Sequence, residues 1–504
     1  MVESPAEPGD HRVRNITRGV SLLSIQNVVT SVLAFVLLAV LLRFLPIEYG
    51  IYSAVLTVVG IAQAFSTFGL SLASTRYVAF LREKDEAESW AAASSTLVLS
   101  LGLSLVVTLI YAFLAPYFSL FFTSPKTLEW TGLFLLGGLW LFASSLALTV
   151  QGIIQGLKKY SLLAKMLLVS RFVMVAFTIV VLLEYDNITV PVVGWAIYYF
   201  LLIGWSLKIV AKDMFSHREK RYSYSTIIRY SFPLGVAGVI QAFAGNSDLL
   251  VVGGYLATTS LGIYNAAIQV TSVLGVVLVT PLLTAFFPEA SSTADSELSN
   301  AFRLSVRFLM LSVLPASFVL AGLSPQLLTF FSGGGSYLGG VVPMELMAFF
   351  YVFYGLEAIS IYLLQAVGRT TRAMVAGIAS AGIVIGLSVL LVPELGLVGA
   401  ALSRVAAVAA GLAVAIYYSR KYVRNLDNLE FYVKCVVCSA VPFAVSYLLT
   451  TFVSSMTVTL VPYALLSGFL FLFCLKVLGV LSEEDRRYLS DILPSFGQRV
   501  LKYI

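Results

Sequence analysis

Residues 45–58 read LPIEYGIYSAVLTV, and residues 256–270 read LATTSLGIYNAAIQV. Gly50-Ile51-Tyr52-Ser53-Ala54 in the first stretch recurs as Gly262-Ile263-Tyr264-Asn265-Ala266 in the second, at an offset of 212 residues. A weaker echo at an offset of 210 links Gln155-Gly156-Leu157-Lys158 with Gln365-Ala366-Val367-Gly368-Arg369. The first stretch follows the first long apolar run of the chain, and the second follows the seventh. One repeat therefore spans six apolar runs. An even number of membrane crossings leaves both copies in the same orientation, as in transporters built from parallel repeats about an axis along the membrane normal. The last two runs lie outside the repeat.

The composition explains why these runs are membrane spans. Of the 504 residues, 59% are hydrophobic and 12% charged, with a mean hydropathy of +0.93. A soluble domain carries about a quarter charged residues, and half that complement cannot cover a body of this size. The modest Gly, Pro and Cys contents exclude collagen-like, disordered and disulfide-scaffold classes. At about 20 residues per span plus a short connection, the chain has room for a dozen or more helices and little soluble domain. The apolar runs predict fourteen, at about 19–44, 50–79, 91–115, 129–156, 161–183, 190–211, 227–254, 260–287, 302–323, 341–366, 371–392, 396–419, 431–453 and 457–480. The first is too long for the apolar region of a signal peptide and reads as a retained helix.

This predicts an all-α polytopic membrane protein. Residues 1–18 form an N-terminal tail, 19–211 a first lobe, 212–226 a polar linker and 227–420 a second lobe. Residues 431–480 form two further helices and 481–504 a C-terminal tail. With the N-terminus inside, inner segments hold 27 of the 32 Lys and Arg, and outer connections hold only Arg43 and Lys126. A missed span would invert every later loop, so the count predicts both termini on the cytoplasmic side. The net charge of +6 accordingly concerns sidedness and not nucleic acid.

Three cations lie within spans: Lys165, Arg171 and Arg404. A charge deep in a span costs about 2.5–3.5 kcal/mol on insertion scales, so such residues face a bundle interior or a wet cavity. Arg171 and Arg404 are candidates either for binding an anionic group or for a structural ion pair. Lys165, near a span end, is also a candidate, although snorkelling accounts for it. Asp248 and Glu357 are the acidic counterparts. Each either neutralises an arginine or serves as a coupling site, since a carboxylate away from bulk water can exchange a proton or hold Na+. Amides line up on the same helices: Gln26 and Asn27 in span one, Gln63 in span two, Gln241 and Asn246 in span seven, and Asn265 and Gln269 in span eight. Some of these would serve substrate hydroxyls and others helix–helix hydrogen bonds.

Cys435 and Cys438 form a CxxC inside the apolar run FYVKCVVCSAVPFAV and read as packing residues. With two histidines in the chain, neither a metal centre nor a catalytic site is predicted, and no cofactor. Asn187-Ile188-Thr189 is a glycosylation sequon in an outer loop.

Several stretches carry a family resemblance: LPIEYGIYS after span one, FSTFGLSLASTRYVA closing span two, and the QGIIQGLKKY exit of span four. YSFPLGVAGVIQAFAGNSDLLVVGGYL in span seven, with Pro233 and Asp248, LGIYNAAIQV running into FFPEAS, and LGLVGAALSR in span twelve complete the set. In their order and spacing the chain resembles the multidrug/oligosaccharidyl-lipid/polysaccharide exporter superfamily, in its polysaccharide-flippase (Wzx-type) branch. The resemblance implies two six-helix lobes around a central cavity plus two C-terminal helices, working by alternating access in a cell membrane. It implies an oligosaccharide or repeat unit on a polyprenyl or dolichyl (pyro)phosphate as substrate. Membrane lipids and glycan-assembly enzymes are the implied partners, and H+ or Na+ are candidate coupling ions. Glu357 and Arg171 match no motif of the family and rest on the physical argument alone. The competing readings are a cation-coupled multidrug extruder of the same superfamily, a membrane glycosyltransferase or polymerase, for which the outer loops are short, and a passive scaffold.

Overall fold

The computed structural model describes residues 8–123, 126–216, 222–292, 295–423, 427–452 and 460–480. The expected tail 481–504, residues 1–7 of the N-terminal tail and residues 217–221 of the linker lie outside the described residues. In hydrocarbon the backbone must satisfy its own hydrogen bonds, and every long apolar run is helical. Among the described residues, eleven helices are long and apolar enough to cross a membrane. The chain divides into two compact units, Met1–Gly262 and Ile263–Ile504.

The first unit holds α1 (Pro8–Phe44), α2 (Tyr49–Thr67), α3 (Leu70–Arg82), α4 (Glu86–Phe122), α5 (Thr131–Gly156), α6 (Tyr160–Leu182), α7 (Thr189–Ser216) and α8 (Tyr224–Tyr255). Helix α8, which follows the linker, packs against α2, α3 and α4. Helix α5 is central and touches α2, α3, α4 and α7. Small residues allow this. A Cβ on Gly152 would strike the Ser71 carbonyl and the Ser74 hydroxyl. Where backbones approach this closely, hydroxyls join them. Ser71, Ser74 and Thr75 of α3 donate to the carbonyls of Leu148, Thr149 and Gly152 on α5, at 2.8, 3.1 and 3.1 Å.

The expected span 50–79 is interrupted. Phe68 (φ 36°) and Gly69 (φ 75°) are left-handed and separate α2 from α3. The break seats Gly69 on α8, where a Cβ would come within 2.6 Å of the Ser231 carbonyl. The Phe68 ring meets Phe232 edge-on at 5.6 Å.

The second unit follows with most of α9 (Thr258–Leu274), a π-helical turn at Gly275–Val279, α10 (Thr280–Ser292), α11 (Asp295–Gly322), α12 (Ser324–Ser332), α13 (Val341–Ala366), α14 (Thr370–Ser419), α15 (Leu429–Phe452) and α16 (Leu460–Val477). Cys435 and Cys438 are buried in its core, against residues of α10, α11 and α13. Arg307 of α11 pairs with Asp427 at 2.6 Å and stacks on Phe431, 4.3 Å from the ring centroid. Arg303 lies 3.6 Å from the same carboxylate.

The two expected spans 371–392 and 396–419 are two helical limbs joined at a break, together α14 of 50 residues. A straight helix of that length would reach about 75 Å, more than twice a bilayer's hydrocarbon thickness. It is not straight. Gly396, at φ 58° and ψ −134°, takes a conformation that is essentially restricted to glycine. Beyond it the chain folds back: a Cβ on Gly399 would collide with the Leu391 carbonyl, and one on Gly411 with the Ser380 hydroxyl. These contacts define an antiparallel hairpin of two limbs.

The repeat is visible as local geometry. Lys159 N–H reaches the Ile154 carbonyl at 3.2 Å, and Arg369 N–H reaches the Leu364 carbonyl at 2.8 Å. The residues before them, Lys158 (φ 58°) and Gly368 (φ 74°), are both left-handed. The same helix-ending turn is thus built twice, 210 residues apart, once with the residue that suits it and once without.

Candidate functional site

Arg171 lies on α6, about 16 Å from the helix start at 1.5 Å per residue. Its guanidinium sits 4.4 Å from the centroid of Trp195 on α7. Trp195 is held on two sides. It stacks on Trp140 of α5 at 5.1 Å with 3° between the planes, and its Nε1–H donates to the Tyr52 hydroxyl at 2.8 Å. Tyr198 and Tyr199 complete the surround, at 5.7 and 5.9 Å from Trp195. Gln63 approaches Tyr199. Trp195, Tyr198 and Tyr199 share one face of α7 because residues at i, i+3 and i+4 do so.

The side chain is half-buried, and no carboxylate lies within ion-pair distance of it among the described residues. Its Nε is buried without a hydrogen-bond partner. Arginine offers five donors and no acceptor, and tryptophan one donor. The cluster is therefore a surplus of donors with a positive charge, held flat by an aromatic face. Such a surface complements an anionic, oxygen-rich group.

The second unit contains the opposite case. Glu357 on α13 is 6% exposed. Ser380, on the first limb of α14, donates its hydroxyl to Oε1 at 2.5 Å. Gly411, on the second limb, leaves room for both; a Cβ there would strike Ser380 and Glu357. No basic side chain lies within ion-pair distance of Glu357 among the described residues. The arginine partner that the sequence reading allowed for is not beside it.

The remaining candidates are distributed more widely. Arg404 is half-buried on the second limb of α14, 5.9 Å from the Phe350 centroid. Lys165 is exposed on α6. Asp248 is fully buried in the first unit. Gln26 is buried and donates to Thr30 at 3.3 Å, while Asn27 is exposed. Asn246 donates to the Ala242 carbonyl at 2.8 Å. Gln241 and Gln269 are exposed and Asn265 is buried. Asn187 is exposed, its side-chain oxygen accepting from Thr189 N–H at 2.8 Å. Of all these, Arg171 and Gln63 converge on one cluster. The reading by residue type missed Trp140, Trp195, Tyr52, Tyr198, Tyr199 and Ser380. The WAIYYF stripe of α7 was the available signal for three of them, and the tyrosine of the repeated Gly-Ile-Tyr motif for a fourth.

Residues 19–335 match the profile of a family described as "Polysaccharide biosynthesis protein". No curated protein sequence gives a significant match. Among solved structures, the chain is similar to the lipid II flippase MurJ in its inward closed conformation: TM-score 0.76, 17% identity, 90% of this chain and 98% of that one. It is also similar to an inward-facing multidrug resistance MATE family transporter of the MOP superfamily, with TM-score 0.59, 14% identity, 81% of this chain and 97% of that one. A MATE structure in complex with MaL6 aligns at TM-score 0.55 and 15% identity, over 81% and 96%. At these identities the likeness establishes a shared fold.

Proposed function

The chain belongs to the polysaccharide biosynthesis protein family, and on that premise we propose that it is a flippase. It carries an oligosaccharide linked to a polyprenyl or dolichyl (pyro)phosphate from the inner to the outer membrane face by alternating access. The observation that carries this reading is Arg171, a cation within a membrane helix that no carboxylate neutralises among the described residues. A charge in that setting is costly unless it has a task. An anionic headgroup is the partner that its donors lack. The structural likeness to a lipid II flippase supports the same substrate class. Amides such as Gln63 suit sugar hydroxyls, and the lipid tail stays in hydrocarbon while the polar head crosses.

Glu357 is the coupling group in this proposal, exchanging H+ or Na+ as the protein cycles. It also favours a second reading, a cation-coupled multidrug extruder, because a buried carboxylate attracts a cationic drug. Reconstitution separates the two. In proteoliposomes, a labelled lipid-linked oligosaccharide becomes accessible on the outer face, and Arg171→Ala slows this at least about ten-fold. Efflux of a cationic dye that ignores Arg171 and depends on Glu357 would establish the extruder instead. Movement of the labelled saccharide at the wild-type rate by Arg171→Ala ends the proposed site.

A further inference from the structure

We propose that the end of the α14 hairpin opposite Gly396 is a docking surface for the headgroups of anionic bilayer phospholipids. Four cations converge there. Arg369 and Arg372 flank the start of α14, and Arg420 and Lys421 follow its end. The antiparallel limbs bring them together. Arg369 Nε donates to the Tyr422 hydroxyl at 3.3 Å, and Arg372 lies 5.7 Å from the Tyr418 ring centroid. Arg420 stacks on Tyr417 at 4.4 Å. Arg369, Arg420 and Lys421 are exposed, and Arg372 is half-buried.

None of the four forms an ion pair among the described residues. From 358 to 423 the only acidic residue is Glu394, which sits beside Gly396 at the far end of the hairpin. The nearest acids that follow are occupied: Asp427 by Arg303 and Arg307, and Glu430 by Lys434 at 2.7 Å.

Sidedness alone does not account for this patch. Orientation follows the number of Lys and Arg, and acidic residues contribute little to it, so it exerts no pressure to exclude acids. The corresponding turn of the first unit contains them. There Lys158 pairs with Glu83 at 2.9 Å, and Asp85, Glu86 and Glu88 lie close by in sequence. One copy of the turn is neutralised and the other is wholly cationic, on the face that the Lys/Arg count assigns to the cytoplasm. Tyr417, Tyr418 and Tyr422 lie against the cations, and tyrosine is enriched at headgroup level. Exposed cations at that level attract anionic lipid.

The test is the thermal stability of the full chain in detergent doped with phosphatidylglycerol or phosphatidylcholine. Phosphatidylglycerol raises the wild-type Tm above that in phosphatidylcholine, and added salt weakens the effect. The variant Arg369→Gln/Arg420→Gln/Lys421→Gln binds phosphatidylglycerol about a hundred-fold more weakly, at roughly five-fold per charge. Lys158→Gln/Lys159→Gln keeps the response. An unchanged response in the triple variant overturns the proposal. So does a wild-type response equal to that in phosphatidylcholine, or one reproduced by inorganic phosphate. Should the triple variant fail to fold, native mass spectrometry of Lys421→Gln decides: about five-fold less bound phosphatidylglycerol supports the surface, and no loss refutes it. No saccharide is present in these measurements, so they stand apart from the transport reading.

Discussion

Among the described residues, Arg171 in the first unit and Glu357 in the second lie in membrane helices with no opposite charge in ion-pair distance, and they are accommodated by different means. In the first, Arg171 is carried by the face of Trp195 and keeps an unpaired Nε. In the second, Glu357 accepts one hydroxyl, from Ser380, in a space that a glycine keeps open. The contrast with Arg307 is instructive. That arginine also stacks on an aromatic ring, but it has Asp427 at 2.6 Å and needs nothing more. Arg171 has the ring and, among the described residues, no acid. Stacking on an aromatic contributes about 0.5–2 kcal/mol, less than the several kcal/mol that withdrawing an ion from water costs. In the proposed function an anionic ligand supplies the remainder. For Glu357 the proposed complement is a proton or a small cation.

The comparison breaks first at Arg171. Arg171→Ala lowers the initial rate of saccharide movement by about ten- to a hundred-fold, the worth of a charge-assisted hydrogen bond or two. Arg171→Lys falls between, because a point charge replaces a flat fork. An equal rate in Arg171→Ala and wild type, measured in the same proteoliposomes, would leave this cation without a role. Glu357→Gln sharpens the other half. It keeps the partner of Ser380 and removes the charge, so binding of the saccharide persists while the response to an imposed pH or Na+ gradient disappears. Transport that still follows every gradient in Glu357→Gln excludes the coupling role.

Smaller effects test the frame around each group. Trp195→Leu strips the ring from Arg171 and lowers the transport rate by about three- to thirty-fold, while Tyr52→Phe leaves the Trp195 Nε1–H without its acceptor and costs about 1–3 kcal/mol in stability. Thermal unfolding of Tyr52→Phe at the wild-type temperature would show that the hydrogen bond holds nothing. In the second unit, Gly396→Ala strains the hairpin by about 1–3 kcal/mol and lowers Tm. The smallest change compares the two repeated turns. Gly368→Ala destabilises by about 1 kcal/mol. Lys158→Gly relieves a similar strain and gives up only an exposed ion pair worth at most about 1 kcal/mol, so its Tm stays near the wild-type value.

Much of the architecture was present in the chain as text. Apolar runs become helices because hydrocarbon leaves the backbone no other partner, a constraint that acts on each segment separately. The turns at Lys158 and Gly368 are legible for the same reason: their hydrogen bonds close within six residues. The break at Phe68–Gly69 was not legible, since its cause is the Ser231 carbonyl more than 160 residues away. The hairpin in α14 lies between these cases. Pro393 and Gly396 marked the boundary between two expected spans, which must run in opposite directions, and the contact of the two limbs shows how closely they pack.

The candidate site divides along the same line. Sequence alone determined that Arg171 and Glu357 are charges inside membrane helices, because hydropathy is a property of a segment and its neighbours along the chain. It could not decide whether they are paired, because pairing depends on side chains delivered by other helices. Trp195 meets Arg171 and is itself held by Tyr52 and Trp140 from two further elements, and Ser380 and Gly411 reach Glu357 from two limbs of one. Tertiary structure alone places those groups, since the distances that separate an ion pair from an isolated charge are set by helix packing and not by order in the chain.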